Sequence, residues 1–192
     1  MDALDAIFSR RSIGRLGPPA PTQDDLTTIL RAAAAAPDHQ TLKPLRMVVL
    51  EGEAKDAFGA VLADAYEARC EANGEQPNPA KLQKERTKLG RAPVVVVIAV
   101  KDTTEGRIPF SEQEATGAAA AQNALLAATA LGYGSMWRTG DPAYDPTIKK
   151  ALDNVDTIVG FLYMGTATPA GDRRPNDPDL ADLADLVTRW TP

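Results

Sequence analysis

The segment Val94-Val95-Val96-Val97-Ile98-Ala99-Val100 is an unbroken apolar run bounded by Pro93 and Lys101. It is far too short to cross a bilayer, which takes about 20 residues as a helix. It also lacks the apolar–polar alternation of a strand with one wet face. Such a run reads as a strand covered on both faces, at the centre of a sheet. The chain must therefore supply two covering layers. With 192 residues it can bury roughly 70% of its unfolded surface in one domain.

The covering elements follow from periodicity and punctuation. Leu4, Ile7 and Phe8 at helical spacing predict a short helix over 2–10. The stretch 14–21, GRLGPPAP, breaks both helix and central strand. Thr22 caps a helix over 23–36, with Asp24 and Asp25 in its positive first turn, and Pro37 ends it. Strands are expected at 45–50, 134–138 and 157–165, and helices at 53–72, 80–89, 112–131 and 145–152. The tail, 168–192, is rich in Pro and Asp and carries one amphipathic turn with Leu180, Leu183, Leu186 and Val187. The expected fold is a single α+β domain over 1–192. Its mixed sheet has about four to five strands surrounded by helices.

The helix at 112–131 is apolar nearly all round, through Ala118 to Ala121, Leu125, Leu126 and Ala130. Helices of that kind are buried on several sides. Its small side chains permit close approach, so it is expected at a homodimer interface. Burial inside one chain is the alternative.

Composition limits the chemistry. A net charge of −5 argues against nucleic acid or an anionic membrane as partner. No stretch approaches 18 apolar residues, so no membrane span is expected. One cysteine, Cys70, allows neither an intrachain disulfide nor a cysteine metal cluster. A reducing cytoplasm is the expected setting. No G-x-G-x-x-G, P-loop or G-x-S-x-G motif occurs. His39 is the only histidine. With the usual nucleophiles and metal ligands missing, an enzyme of this composition needs an organic cofactor.

Three segments carry functional residue types. Arg10-Arg11-Ser12-x-x-Arg15 puts three guanidiniums and a hydroxyl just after a helix, a set that can hold phosphate in bidentate, charge-assisted bonds. Arginines there also stabilise a helix C-terminus. Pro37-Asp38-His39-Gln40-Thr41-x-Lys43-Pro44 is a constrained polar loop before a strand, able to present amides, hydroxyls and an imidazole to a planar ring, or simply a satisfied turn. Gly134-Ser135-Met136-Trp137-Arg138-Thr139-Gly140 brackets an aromatic, a cation and a hydroxyl between glycines. Trp137 could flank a flat ligand or sit in the core.

In order and spacing, these segments together with Ile158-Val159-Gly160-Phe161-Leu162-Tyr163-x-Gly165-Thr166 resemble the nitroreductase-like FMN flavoproteins. Within that family they are most similar to the short NAD(P)H nitroreductases of the YdjA type. The resemblance covers 1–169. It implies an intertwined homodimer with FMN at the subunit interface and NAD(P)H as co-substrate. Arg10, Arg11 and Ser12 are then expected to hold the FMN phosphate and ribityl chain. His39 and Thr41 would approach the ring from the partner chain, and Trp137, Arg138 and Thr139 would close the site. Ala127, Ala128, Thr129, Ala130, Leu131 and Gly132 correspond to the segment assigned to NAD(P). The first motif is expected to meet the other two across the dimer interface.

Departures from the family pattern occur where relatives often have Gln-Pro-Trp and this chain has Lys43-Pro44-Leu45. Lys43 is compatible with the flavin N1–C2=O edge, where its charge would favour the reduced ring. Leu45 removes an aromatic, and Ala35 stands where some relatives carry a basic residue. The activity implied is ping-pong hydride transfer to a nitroaromatic, a quinone or another small organic acceptor. A flavin-dependent dehydrogenase of the same fold, an FMN-binding carrier or sensor without turnover, and a flavin-free structural dimer are the alternatives.

Overall fold

The computed structural model describes residues 1–168 and 186–190. The apolar run forms strand β3 (Val94–Val100), and all seven of its residues are at most 1% exposed. It pairs antiparallel with β2 (Leu45–Glu51) on one side and β5 (Thr157–Ala167) on the other. The far edge of β5 carries β4 (Gly134–Arg138) and then the two-residue β1 (Leu16–Gly17), giving the order β1-β5-β3-β2 with β4 also on β5. Every named pair is antiparallel. The parallel component of this mixed sheet is the bridge between Ser12 and Ser135.

Alternation along β3 sorts the core into two clusters. Val94, Val96 and Ile98 face α2 (Gln23–Ala34) and α5 (Phe110–Ala130). Val95, Val97 and Ala99 face α3 (Glu53–Ala72), the 3-10 turn Lys88–Arg91 and α7 (Pro146–Ala151). The register between β3 and β5 shifts at Ile98/Ala99, which leaves Val159 unpaired in a bulge. Its carbonyl accepts the Trp137 indole N–H at 3.1 Å. Gly160 makes this possible, since any side chain there would meet the Trp137 indole.

Helix starts obey local chemistry. Asp2 caps α1 (Ala3–Ser9), Thr22 caps α2, and Asn78 caps α4 (Pro79–Thr87), each accepting first-turn N–H groups. The helix expected over 145–152 is α7, and a short helix that was not expected, α6 (Asp141–Tyr144), precedes it. Asp145 ends α6 and caps α7, with Thr147 N–H donating to it at 2.8 Å. The breaker 14–21 also hides a strand, because Leu16 and Gly17 pair with Ala167 and Thr166 before Pro18 stops the ladder.

Helix α5 is buried largely inside its own chain. Gly117, Ala120, Ala121, Ala124, Leu125 and Ala128 are covered by the sheet and by α1 and α2. Intrachain packing accounts for these positions, without a second subunit. Leu180 and Leu183 of the expected tail turn lie outside the described residues, while Leu186 and Val187 are exposed. Among the described residues, no helix is long and apolar enough to cross a membrane.

Candidate functional site

The first and third motifs meet within one chain. At Arg10 the chain leaves α1 in an extended turn, and Ser12 then bridges to Ser135. Ile13 N–H donates to the Ser135 carbonyl at 2.9 Å. A methyl on Gly14 would lie 3.6 Å from the Arg138 guanidinium and 3.7 Å from Met136 Sδ. The residues 10–15 therefore run along the open edge of β4. This corrects the expectation that the first motif meets the third only across an interface. The physical reason is that β4 pairs on one edge only, and the Arg-rich segment covers the other. Arg11 turns back to donate to the Ser9 carbonyl at 2.5 Å. Ser135 Oγ is buried with no hydrogen-bond partner among the described residues, at the junction of the two motifs.

Past the last β4–β5 pair, Arg138↔Phe161, the strand borders a cavity of about 540 Å3. Its wall runs from Met136 to Pro142 and continues through Lys81, Lys84, Glu85, Lys88 and Arg91 to a floor of Leu62, Leu89, Phe161 and Tyr163. Strand alternation puts Met136 and Arg138 on the cavity face, with the guanidinium 5.7 Å from the Tyr163 ring centroid. The Trp137 indole points to the α5 face, so this residue meets the cavity edge-on. Thr139 and Gly140 lie exposed at the rim.

Lys84, Glu85, Lys88, Arg91 and Tyr163 were not singled out in the sequence. The helix α4 reads as a solvated polar helix, and only its packing on α3 buries Glu85 to 7% exposure. Glu85 holds an ion pair with Lys88. Burial pulls the Lys88 ammonium below the ordinary lysine range, and Glu85 partly restores it. Burial likewise raises the Tyr163 phenol, against the pull of Arg138 and Arg91.

The second motif lies elsewhere. His39 begins a 3-10 turn, His39–Thr41, and its Nδ1 sits 2.8 Å from Glu112 Oε2 in the first turn of α5. Helix α1 lies against α5 from Asn123 to Ala130, at least about 16 Å further along at 1.5 Å per residue. Within one chain, His39, Thr41 and Lys43 do not approach Arg10, Arg11 or Ser12. Their loop is strained, with Gln40, Thr41 and Lys43 at φ of 50°, 59° and 54°. A β-branched residue such as Thr41 rarely adopts that region. Asp38 holds the turn closed by accepting from Leu42 N–H at 3.1 Å and Lys43 N–H at 2.7 Å. The Thr103 hydroxyl donates to the Leu42 carbonyl at 3.0 Å, tying the loop to the chain after β3. There Asp102 accepts from Gln113 and Thr104, which holds its carboxyl down at about 2.

The segment Ala127–Gly132 is the C-terminal end of α5. Ala128 is fully buried, and the Thr129 hydroxyl donates back to Leu125 at 2.9 Å. Tyr133 N–H donates to the Ala128 carbonyl at 2.8 Å, with Gly132 at φ 87° closing the helix. Ala130, Leu131 and Gly132 are exposed.

The chain is similar to known proteins in both sequence and fold. "Putative NAD(P)H nitroreductase YdjA" of Escherichia coli (strain K12) is 37% identical over 181 residues, covering 93% of this chain and 96% of the relative. "Putative NAD(P)H nitroreductase" of Haemophilus influenzae is 31% identical over 192 residues, covering 98% and 99%. A solved nitroreductase with bound FMN from Bacteroides fragilis superposes with a TM-score of 0.72 at 19% identity, covering 100% of both chains. A nitroreductase-like family protein from Bacillus cereus gives a TM-score of 0.77 at 20% identity, over 99% and 96%. The sequence profile of the Nitroreductase family matches residues 7–166, a span that takes in all three motifs and every strand but for the last residue of β5, and this chain belongs to that family.

Proposed function

We propose that this chain is an FMN-dependent NAD(P)H oxidoreductase that works as a homodimer and reduces a nitroaromatic, a quinone or another small organic acceptor. The observation that carries the reading is the junction of the Arg10–Arg15 segment with β4 at the rim of a cation-lined cavity. The donor set fits FMN. Arg10, Arg11 and Ser12 supply the charge-assisted donors that a phosphate and a ribityl chain need. The adjoining cavity of about 540 Å3 is in the ordinary range for small-molecule sites, so it leaves room for a substrate beside the cofactor. Arg138 and Thr139 stand between these two parts, beside the edge-on Trp137. Lys88, held by buried Glu85, is a fixed positive charge on the cavity wall, suited to offset negative charge on a reduced ring. FMN, when bound, would supply the two-electron relay between NAD(P)H and the acceptor.

The homodimer explains why the constellation is divided. His39, Thr41 and Lys43 sit at one end of α5 and the Arg-rich segment at the other, so a second chain must bring them together. An apolar groove between α1, α2 and α5, lined by Ala6, Ile7, Ala35, Leu126, Ala127 and Ala130, leaves Leu4, Ile7 and Phe8 exposed, a surface suited to a second copy. Ala127 to Gly132 would then flank the NAD(P)H entrance. The chain is expected to work in the cytoplasm, with no nucleic-acid or membrane partner.

In turnover a nitro acceptor gains two electrons and two protons and loses one oxygen as water, while NAD(P)H loses a hydride. The test is FMN titration of the purified protein, followed by NADH and NADPH. Yellow protein with absorption near about 450 nm that bleaches with either dinucleotide is expected. Arg10→Ala with Ser12→Ala should weaken FMN binding at least about tenfold, since each lost bond is worth roughly 1.5–3 kcal/mol. Unchanged FMN affinity would overturn the phosphate assignment.

A further inference from the structure

The proposed reading accounts for one anion, the FMN phosphate, and assigns it to Arg10–Arg15. The cavity beside β4 carries a separate excess of positive charge. Lys81, Lys84, Lys88, Arg91 and Arg138 line it, against the carboxylates of Glu85 and Asp141. Glu85 is taken up by Lys88. Asp141 lies 3.5 Å from Lys81 and 3.8 Å from Arg69. No carboxylate pairs with Lys84, Arg91 or Arg138 among the described residues. This concentration stands in a protein of net charge −5, so it is a local construction and not a general basic surface. At the floor, Tyr163 is only 4% exposed. Its ring lines the cavity, and its hydroxyl makes no hydrogen bond among the described residues, so it is available to a ligand there.

From this geometry we infer that the cavity selects an electron acceptor bearing a carboxylate, held by Lys84, Arg91 and Arg138 with the Tyr163 hydroxyl donating to it. The inference rests on the oxidoreductase reading and deepens it by naming the charge class of the acceptor. A neutral nitroaromatic fills the apolar floor of Leu62, Leu89 and Phe161 equally well but gains no charge-assisted bond from Lys84, Arg91 or Arg138, and such bonds are roughly twice as strong as neutral ones. Walls of low dielectric also focus the field of the three cations into the opening, which raises the capture rate of anions at low ionic strength.

The test compares 4-nitrobenzoate with nitrobenzene. Equilibrium binding of each to the oxidised holoprotein is measured by calorimetry, and the oxidative half-reaction is measured by mixing chemically reduced protein with each acceptor. Binding and rate are expected to favour the carboxylate at least about tenfold at low salt, and the ratio should fall toward one as salt screens the charges. In Lys84→Gln with Arg91→Gln, the ratio should fall toward one already at low salt. Equal binding of the two acceptors overturns the inference, as does a ratio unchanged in the double variant. Loss of FMN from that variant assigns the cations to the cofactor and also overturns it. A charge preference confined to the reductive half-reaction, with NADPH favoured over NADH, assigns them to the dinucleotide phosphate with the same result. Failure of the underlying reading has a different signature, a colourless protein that FMN does not stabilise.

Discussion

On the α5 side of the sheet, the helix presents Gly117, Ala120, Ala121, Ala124 and Ala128, and the backbone comes so near that a methyl on Gly117 would lie 2.6 Å from Val100 and 2.7 Å from Val159. On the opposite side the layer is built from Phe58, Leu62, Leu89, Phe161 and Tyr163. Large side chains standing off the sheet hold α3 and α4 away from it, and the cation-lined cavity opens beside them at the end of β4. Side-chain size thus decides where a ligand can enter. The small-residue face is shut and serves as a rigid plate, whereas the large-residue face has an unfilled corner walled by charge.

The sharpest way to break this contrast is Glu85→Ala. It leaves the partly buried Lys88 ammonium without its partner, and removing one member of a buried pair costs about 3 kcal/mol or more. Urea unfolding should show that loss, and a change under 1 kcal/mol would mean that the cavity wall is solvated after all. Gly117→Ala tests the closed face. Overpacking should cost about 2 kcal/mol, read as a lower urea midpoint with an unchanged slope. If that variant is as stable as the parent, α5 slides freely and the plate is not rigid.

Asp38→Ala probes the loop at the end of the closed face. With Leu42 and Lys43 N–H groups released, the left-handed residues Gln40, Thr41 and Lys43 lose their clamp, at about 1 kcal/mol of stability. The larger change is expected in FMN affinity, and Asp38→Asn should recover part of it. The smallest effect is in acid. The Asp102 carboxyl titrates at about 2 in the folded chain, below its ordinary 3.8, because Gln113 and Thr104 donate to it. The unfolded chain therefore binds the proton first. The contribution is present above about 4 and is lost as pH falls toward about 2. Asp102→Asn should flatten that part of an acid-stability curve.

Sequence patterning exposes the architecture where one rule acts alone. The run Val94–Val100 is central because nothing but full cover suits it, and Thr22 caps α2 through a purely local bond from Asp25 N–H. It falls short where packing overrides pattern. Leu16 and Gly17 form a strand despite their Gly and Pro neighbours, since an edge position needs only two pairs. The alanines of α5 signal close approach but not to what, and its burial is mostly under its own sheet and α2. Arg10, Ser12, Arg138 and Thr139 were visible as chemistry in short segments. Glu85, Lys88 and Tyr163 were not, because an ordinary-looking polar helix and an ordinary core tyrosine become a charged wall and floor only once α4 is laid on α3.

The Arg-rich segment is among the first residues to be synthesised and among the last to find a place. Ser12 waits for Ser135, Leu16 for Ala167, and the Arg15 carbonyl for Thr168 N–H at 3.3 Å, partners about 120 to 150 residues downstream whose closure must await most of the chain. A polypeptide that lacks β5 thus leaves this segment without the Ala167 and Thr168 backbone partners of Leu16 and Arg15. On the proposed phosphate assignment, flavin retention would therefore report that β5 is in place.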